Sequence, residues 1–151
     1  MRKQLLAMAL AGAAGLAATS VIAAGDPIET RKAVMQSVGA AAGLGGGMMK
    51  GEIAYTPAAG KAVIATMNGA AHSFGAFFPD GSDAGDTTAA PAIWSDAAGF
   101  KAALAKFAEA TGAGMAASGK AGPADLDAFK AAAGPIMGNC KSCHEAFRVK
   151  K

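Results

Sequence analysis

Beyond residue 24 the apolar positions recur three and four apart, the spacing of helices that bury one face. No run of alternating β-branched residues competes with this pattern, so it predicts an all-α chain. A first helix runs from about Pro27 to Lys50, with Ile28, Arg31, Met35, Val38 and Ala42 along one stripe. Asp26 before Pro27 supplies an N-cap and a first-turn proline, while the glycines of 43–47 weaken the far half. Thr56-Pro57 repeats the start signal for a second helix, striped by Val63, Met67, Ala70, Phe74 and Phe77, which ends near Phe78 because Pro79 follows. Residues 79–90 are rich in Gly, Asp, Ser and Thr and read as a loop. Pro91 opens a third helix with Ile93, Ala97, Phe100, Leu104, Phe107 and Thr111 in register, and Gly112 and Gly114 weaken its end. After a connection at 119–122, Pro123 opens the last helix, in which Leu126, Phe129, Ala133, Ile136, Cys140, Cys143 and Phe147 share a face. Gly134-Pro135 predicts a kink one turn before the cysteines. Four helices with short connections bundle most simply as an up-down-up-down antiparallel four-helix bundle.

The first 24 residues follow a different logic. Met1-Arg2-Lys3 carries two positive charges, residues 5–18 are uncharged and mostly Ala, Leu and Met, and Ala23-Ala24 precedes Gly25-Asp26-Pro27. This is the layout of a secretory signal peptide. The expectation is a signal peptide at 1–24, one domain at 25–151, and export to the periplasm. An uncleaved anchor competes, since the uncharged run nearly spans a bilayer, but Ala and Gly make a weak one.

Composition adds exclusions. With 151 residues, 52% hydrophobic and 17% charged, the chain suits one folded domain rather than a disordered segment. Fourteen basic residues against 11 acidic ones give +3, too little for a nucleic-acid footprint. Two of those cations leave with the leader. From Cys140 onward Lys141, Arg148, Lys150 and Lys151 oppose Glu145 alone. Such a basic end steers an acidic partner, and it equally suits the negative end of a helix dipole.

The chemistry concentrates in Cys140-Lys141-Ser142-Cys143-His144, the C-x-x-C-H pattern of c-type haem attachment. Two thiols separated by two residues reach the two vinyl groups on one side of a porphyrin, and the adjacent imidazole faces the iron. A thioredoxin-like dithiol would sit at the head of a helix in a βαβ context. A zinc site would need a further ligand, which only His72 or a carboxylate could supply. Export favours haem c, one covalent group with its iron, over both.

The chain resembles the class II cytochromes c, the family of the high-spin cytochromes c′ and the low-spin cytochromes c-556. The likeness spans the mature chain. Beyond the attachment motif it includes Arg31 followed one turn later by Met35, Met49-Lys50-Gly51-Glu52, Phe78-Pro79, Pro91-Ala92-Ile93-Trp94 and Glu145-Ala146-Phe147-Arg148. In the c′ type the position of Met35 usually holds a non-ligating side chain and the iron is open to small gases. In the c-556 type it is a ligating methionine.

If the first and last helices are antiparallel neighbours, Met35 and His144 lie at matching levels, whereas Met48 and Met49 lie roughly 20 Å further along the helix. Helical spacing alone leaves Met35 open between core filler and ligand. The resemblance implies His144 and Met35 as axial ligands, Cys140 and Cys143 as thioether carriers, and Arg31 and Arg148 as candidates for propionate contacts. His72 is a rival ligand at a similar level. Trp94 and the phenylalanines are expected to wall the haem and fill the core. The implied activity is one-electron transfer without substrate turnover, in a monomer or homodimer. The expected partners are periplasmic redox proteins, acidic at the docking face, that meet the chain near Lys141 and the C-terminal cations. The alternative is a five-coordinate cytochrome c′ that binds nitric oxide or carbon monoxide.

Overall fold

The computed structural model describes residues 25–150, so the expected signal peptide lies outside the described residues. Five helices follow in order: α1 (Pro27–Lys50), α2 (Pro57–Ser73), α3 (Ala92–Ser95), α4 (Ala97–Ser118) and α5 (Leu126–Phe147). A 3-10 turn, Phe74–Phe77, extends α2. The four long helices form the bundle. Gly45 of α1 packs against Val63 of α2, while Arg31 reaches Phe77 O just beyond the far end of α2, which makes the pair antiparallel. Gly75 just past α2 meets Leu104, and Ile64 meets Gly114, so α2 and α4 are antiparallel too. Gly114 against Ile136 and Phe100 against Phe147 set the same relation for α4 and α5. Among the described residues, the β-type pairing is one isolated antiparallel bridge, Ala89 with Arg148. No described helix is long and apolar enough to cross a membrane.

Capping explains where the helices begin. Asp26 accepts from Ile28 N at 2.8 Å, Thr56 from Ala59 N at 3.1 Å, Asp96 from Gly99 N at 3.0 Å and Asp125 from Ala128 N at 2.8 Å. Each supplies an acceptor to an otherwise orphaned first-turn donor. The last two move boundaries away from the sequence reading. Asp96 resets the third helix, so α3 is a single turn and Ala97 is exposed rather than in register with Phe100. Asp125, not Pro123, opens α5; the Pro123 carbonyl instead accepts from the Tyr55 hydroxyl.

The glycines expected to weaken α1 do not shorten it. Gly45 and Gly47 are buried, and a Cβ on Gly45 would stand 2.8 Å from Met137 Cε and 3.2 Å from Val63 Cγ1. The close approach of neighbouring side chains outweighs about 1 kcal/mol of lost propensity per glycine. Gly114 does the same in α4, which runs on to Ser118. α5 carries Pro135 inside a single helix, Leu126–Phe147. The most deeply buried members of the core are Met48, Val63, Ile64, Met67, Phe129, Ala133 and Ile136, at the end of the bundle where these glycines lie.

Candidate functional site

At the other end the helices diverge around a cavity of about 550 Å³, within the roughly 300–1,000 Å³ typical of cofactor sites. α5 brings three groups to it. Cys140, Cys143 and His144 lie within little more than one turn of its last third, and all three line the cavity. The two thiols are half-buried and unpaired. Burial pushes both thiols up from their ordinary range, and Cys140 adds to the effect at Cys143. A redox-active dithiol needs the opposite shift, towards thiolate. Burial, then the nearby Arg148 charge, lowers His144 below the usual imidazole value. That favours the neutral ring, the form that ligates a metal.

From α1, Met35 lines the cavity with Val38 and Ala42, its side chain partly buried. Since α1 and α2, α2 and α4, and α4 and α5 are each antiparallel, α1 and α5 are antiparallel as well, and Gly45 against Met137 sets their level, so the start of α1 lies beside the end of α5. Met35 and His144 therefore flank one space from two helices. Among the described residues no other methionine lines the cavity, and Met49 and Met115 pack against the core. Met48 and Met67 are fully buried in the core, and Met137 packs on Gly45. His72 is exposed on α2 and does not line the cavity.

The walls are aromatic. Phe74, Phe78, Phe100 and Phe147 form an edge-to-face chain with centroid separations of 4.9, 4.9 and 5.3 Å, and Phe107 adds a further ring to the lining. Phe129 belongs to the filled core instead, and Trp94 stands behind Phe78 at 6.1 Å. Phe129 fits the expected division of the aromatics between walls and core, whereas Trp94, partly buried, neither lines the cavity nor joins the core cluster.

Arg31 is 4% exposed and lines the cavity, yet no carboxylate forms an ion pair with it among the described residues. Desolvation lowers its pKa, with Asp26 opposing, but a guanidinium stays charged at any physiological pH. Its terminal nitrogens are engaged by the 79–90 segment and its flank. Nη1 donates to Phe77 O at 3.2 Å and Ser82 Oγ at 3.0 Å, and Nη2 to Ser82 O at 2.6 Å and Thr87 Oγ1 at 2.8 Å. The rings of Phe78 and Trp94 lie 5.0 and 5.8 Å from its Cζ. Arg148 is exposed at the end of α5, on the cavity rim. Sequence reasoning missed Lys32, Gln36, Thr87 and Thr88, which also line the space. Lys32 was findable one helical turn before Met35; Gln36 and the two threonines carried no signal.

These residues fit a haem c. The cavity offers two thiols on one helix, a neutral imidazole beside them, a thioether across from it, apolar walls, and a buried cation where an anionic group would find its counter-charge.

The family model described as cytochrome C′ matches residues 26–148. The chain is 37% identical over 143 residues to a cytochrome c′ of Rhodopseudomonas palustris, covering 94% of each. It is 35% identical over 136 residues to a cytochrome c-556 of Agrobacterium fabrum, covering 90% of this chain and 89% of that one. A solved cytochrome c′ structure from Rhodopseudomonas palustris superposes with a TM-score of 0.74 at 38% identity, covering 84% of this chain and 98% of the other. The chain belongs to the cytochrome c′ family of class II cytochromes c, monohaem electron-transfer proteins that carry one covalent haem c and its iron.

Proposed function

We propose that this chain is a periplasmic one-electron carrier with low-spin iron, ligated by His144 and Met35 and tethered through Cys140 and Cys143. The observation that carries this reading is that Met35 and His144 line one cavity from two antiparallel helices. The bound haem supplies an iron that exchanges one electron between its ferric and ferrous forms. The protein's residues do the rest. Met35 offers a soft thioether that favours the ferrous form and raises the potential. His144 would supply a second, imidazole ligand, its pKa lowered towards the neutral ring, and the aromatic walls would give the group apolar surroundings. Arg31 contributes a buried positive charge towards the propionates, and the exposed Arg148 a guanidinium free to follow them.

The test is Met35→Leu. The oxidised and reduced absorption spectra should change from sharp low-spin bands to a broad high-spin form that takes up carbon monoxide. A Leu variant that stays low-spin rules out Met35 as ligand. The second reading, a five-coordinate protein that binds nitric oxide or carbon monoxide, is favoured by the family's own description as cytochrome C′. On that reading the unmutated protein is already high-spin and binds the gas at neutral pH.

Partners on the first reading are redox proteins with an acidic face that dock at the basic C-terminal end. Lys141 pairs with Glu145 at 3.7 Å, an exposed contact worth at most about 1 kcal/mol, which leaves its charge largely available. Reversing the charges of Lys141, Lys150 and Lys151 should slow transfer at low salt and matter little at high salt. An unchanged low-salt rate would remove the docking face from this end.

A further inference from the structure

The loop at 79–90 is tied at both of its ends to the helices that carry the axial pair. On the α1 side Arg31 makes three of its four hydrogen bonds to Ser82 and Thr87, and Lys32 meets Asp86 at 2.9 Å. On the α5 side Ala90 N donates to Phe147 O at 3.0 Å and Val149 N to Thr88 O at 2.9 Å, flanking the Ala89–Arg148 bridge. Thr87 joins the two halves, because its hydroxyl oxygen accepts from Arg31 Nη2 and also from Ala89 N at 3.1 Å. A continuous hydrogen-bonded path thus runs from one turn before Met35 to three residues past His144. At the other end of the bundle the same helices meet directly, with Met137 against Gly45. Around the cavity, these loop bonds take over that task.

We propose that Arg31 is a positioning residue for the axial pair: by clamping the 79–90 loop it fixes the separation of Met35 from His144, and so holds the thioether on the iron. The fork of the guanidinium matters here as well as its charge. Two terminal nitrogens serve four acceptors in fixed directions, which a lysine ammonium does not reproduce. The inference rests on Met35 ligation, which Met35→Leu tests separately.

The experiment uses the haem-loaded full-length protein and compares Arg31→Gln, Arg31→Lys and Thr87→Val with the unmutated form. It reads amide hydrogen exchange at Ala90 and Val149 together with the high-spin fraction and carbon monoxide uptake. Arg31→Gln and Arg31→Lys should each speed exchange at both amides by about tenfold or more, the loss of at least one charged hydrogen bond. Both should also become partly high-spin and admit carbon monoxide although Met35 is intact. Thr87→Val, which keeps the Arg31 charge and the fold's volume, should move both readouts the same way by a smaller factor. Arg31→Lys indistinguishable from the unmutated protein would overturn the proposal, because charge alone would then suffice. So would faster exchange with an unaltered low-spin spectrum, because the loop would then be uncoupled from the ligand. An unmutated protein that is high-spin overturns the Met35 reading and this proposal with it; a low-spin one with unresponsive variants overturns this proposal alone.

Discussion

The two ends of the bundle are built on opposite principles. At the end holding Phe129 and Ile136, glycines at 45, 60 and 114 let helices and neighbouring side chains approach until a Cβ would meet its neighbour at 2.9 Å or less. Stability there comes from filled volume. At the end holding Met35 and His144 the helices enclose about 550 Å³, and between α1 and α5 hydrogen bonds through a loop stand where direct packing serves at the other end. The same four helices thus carry a filled base and an open mouth. Substitutions in the base should act on folding, and substitutions in the mouth on the iron.

The largest effect that would sharpen this division is Phe129→Ala. The ring is fully buried, so its loss should cost about 3–5 kcal/mol in a denaturant titration. The folded fraction should keep the spectrum of the unmutated protein. A changed spin state in that folded fraction would break the comparison, because the base would then reach the ligand pair. Next comes Gly114→Ala, whose new methyl would stand 2.9 Å from Ile136 Cδ1 and 3.3 Å from the Ala132 carbonyl. Overpacking of this kind should cost about 1–3 kcal/mol, against the gain of about 1 kcal/mol that propensity alone would give. A Gly114→Ala protein with a raised melting temperature would show that the base is less tightly filled than its contacts imply. The smallest is Asp125→Ala, which removes the α5 N-cap far from the cavity and should cost about 1 kcal/mol with no spectral change. Circular dichroism melts followed at the helix band and at the haem band would resolve all three.

Local chemistry was legible in the sequence, and distant partners were not. The α1 and α2 starts followed from Asp26-Pro27 and Thr56-Pro57, since capping involves residues two or three apart. The six residues Arg31, Met35, Cys140, Cys143, His144 and Arg148 were all singled out, and all line one cavity. What failed was competition between signals and anything set by packing. Pro91 and Asp96 both announce a helix start, and the structure uses both, so the third helix splits. The glycines of α1 looked like breakers because the side chains that approach them, Met137, Val63 and Ile53, lie on other parts of the chain. The acceptors of Arg31 were invisible for a related reason. Two are backbone carbonyls, which no residue type marks, and the hydroxyls lie 51 and 56 positions away.

Those long spans carry a kinetic consequence. Helical bundles condense quickly because most of their contacts are local, whereas a bond closing more than 50 residues pays the loop-closure entropy first. The Arg31–Ser82–Thr87 cluster should therefore form after the four helices have collapsed, and be absent from the folding transition state. Weakening a late contact leaves the folding rate nearly unchanged and accelerates unfolding by the whole of the lost stability. In a chevron plot of Thr87→Val, only the unfolding arm should move.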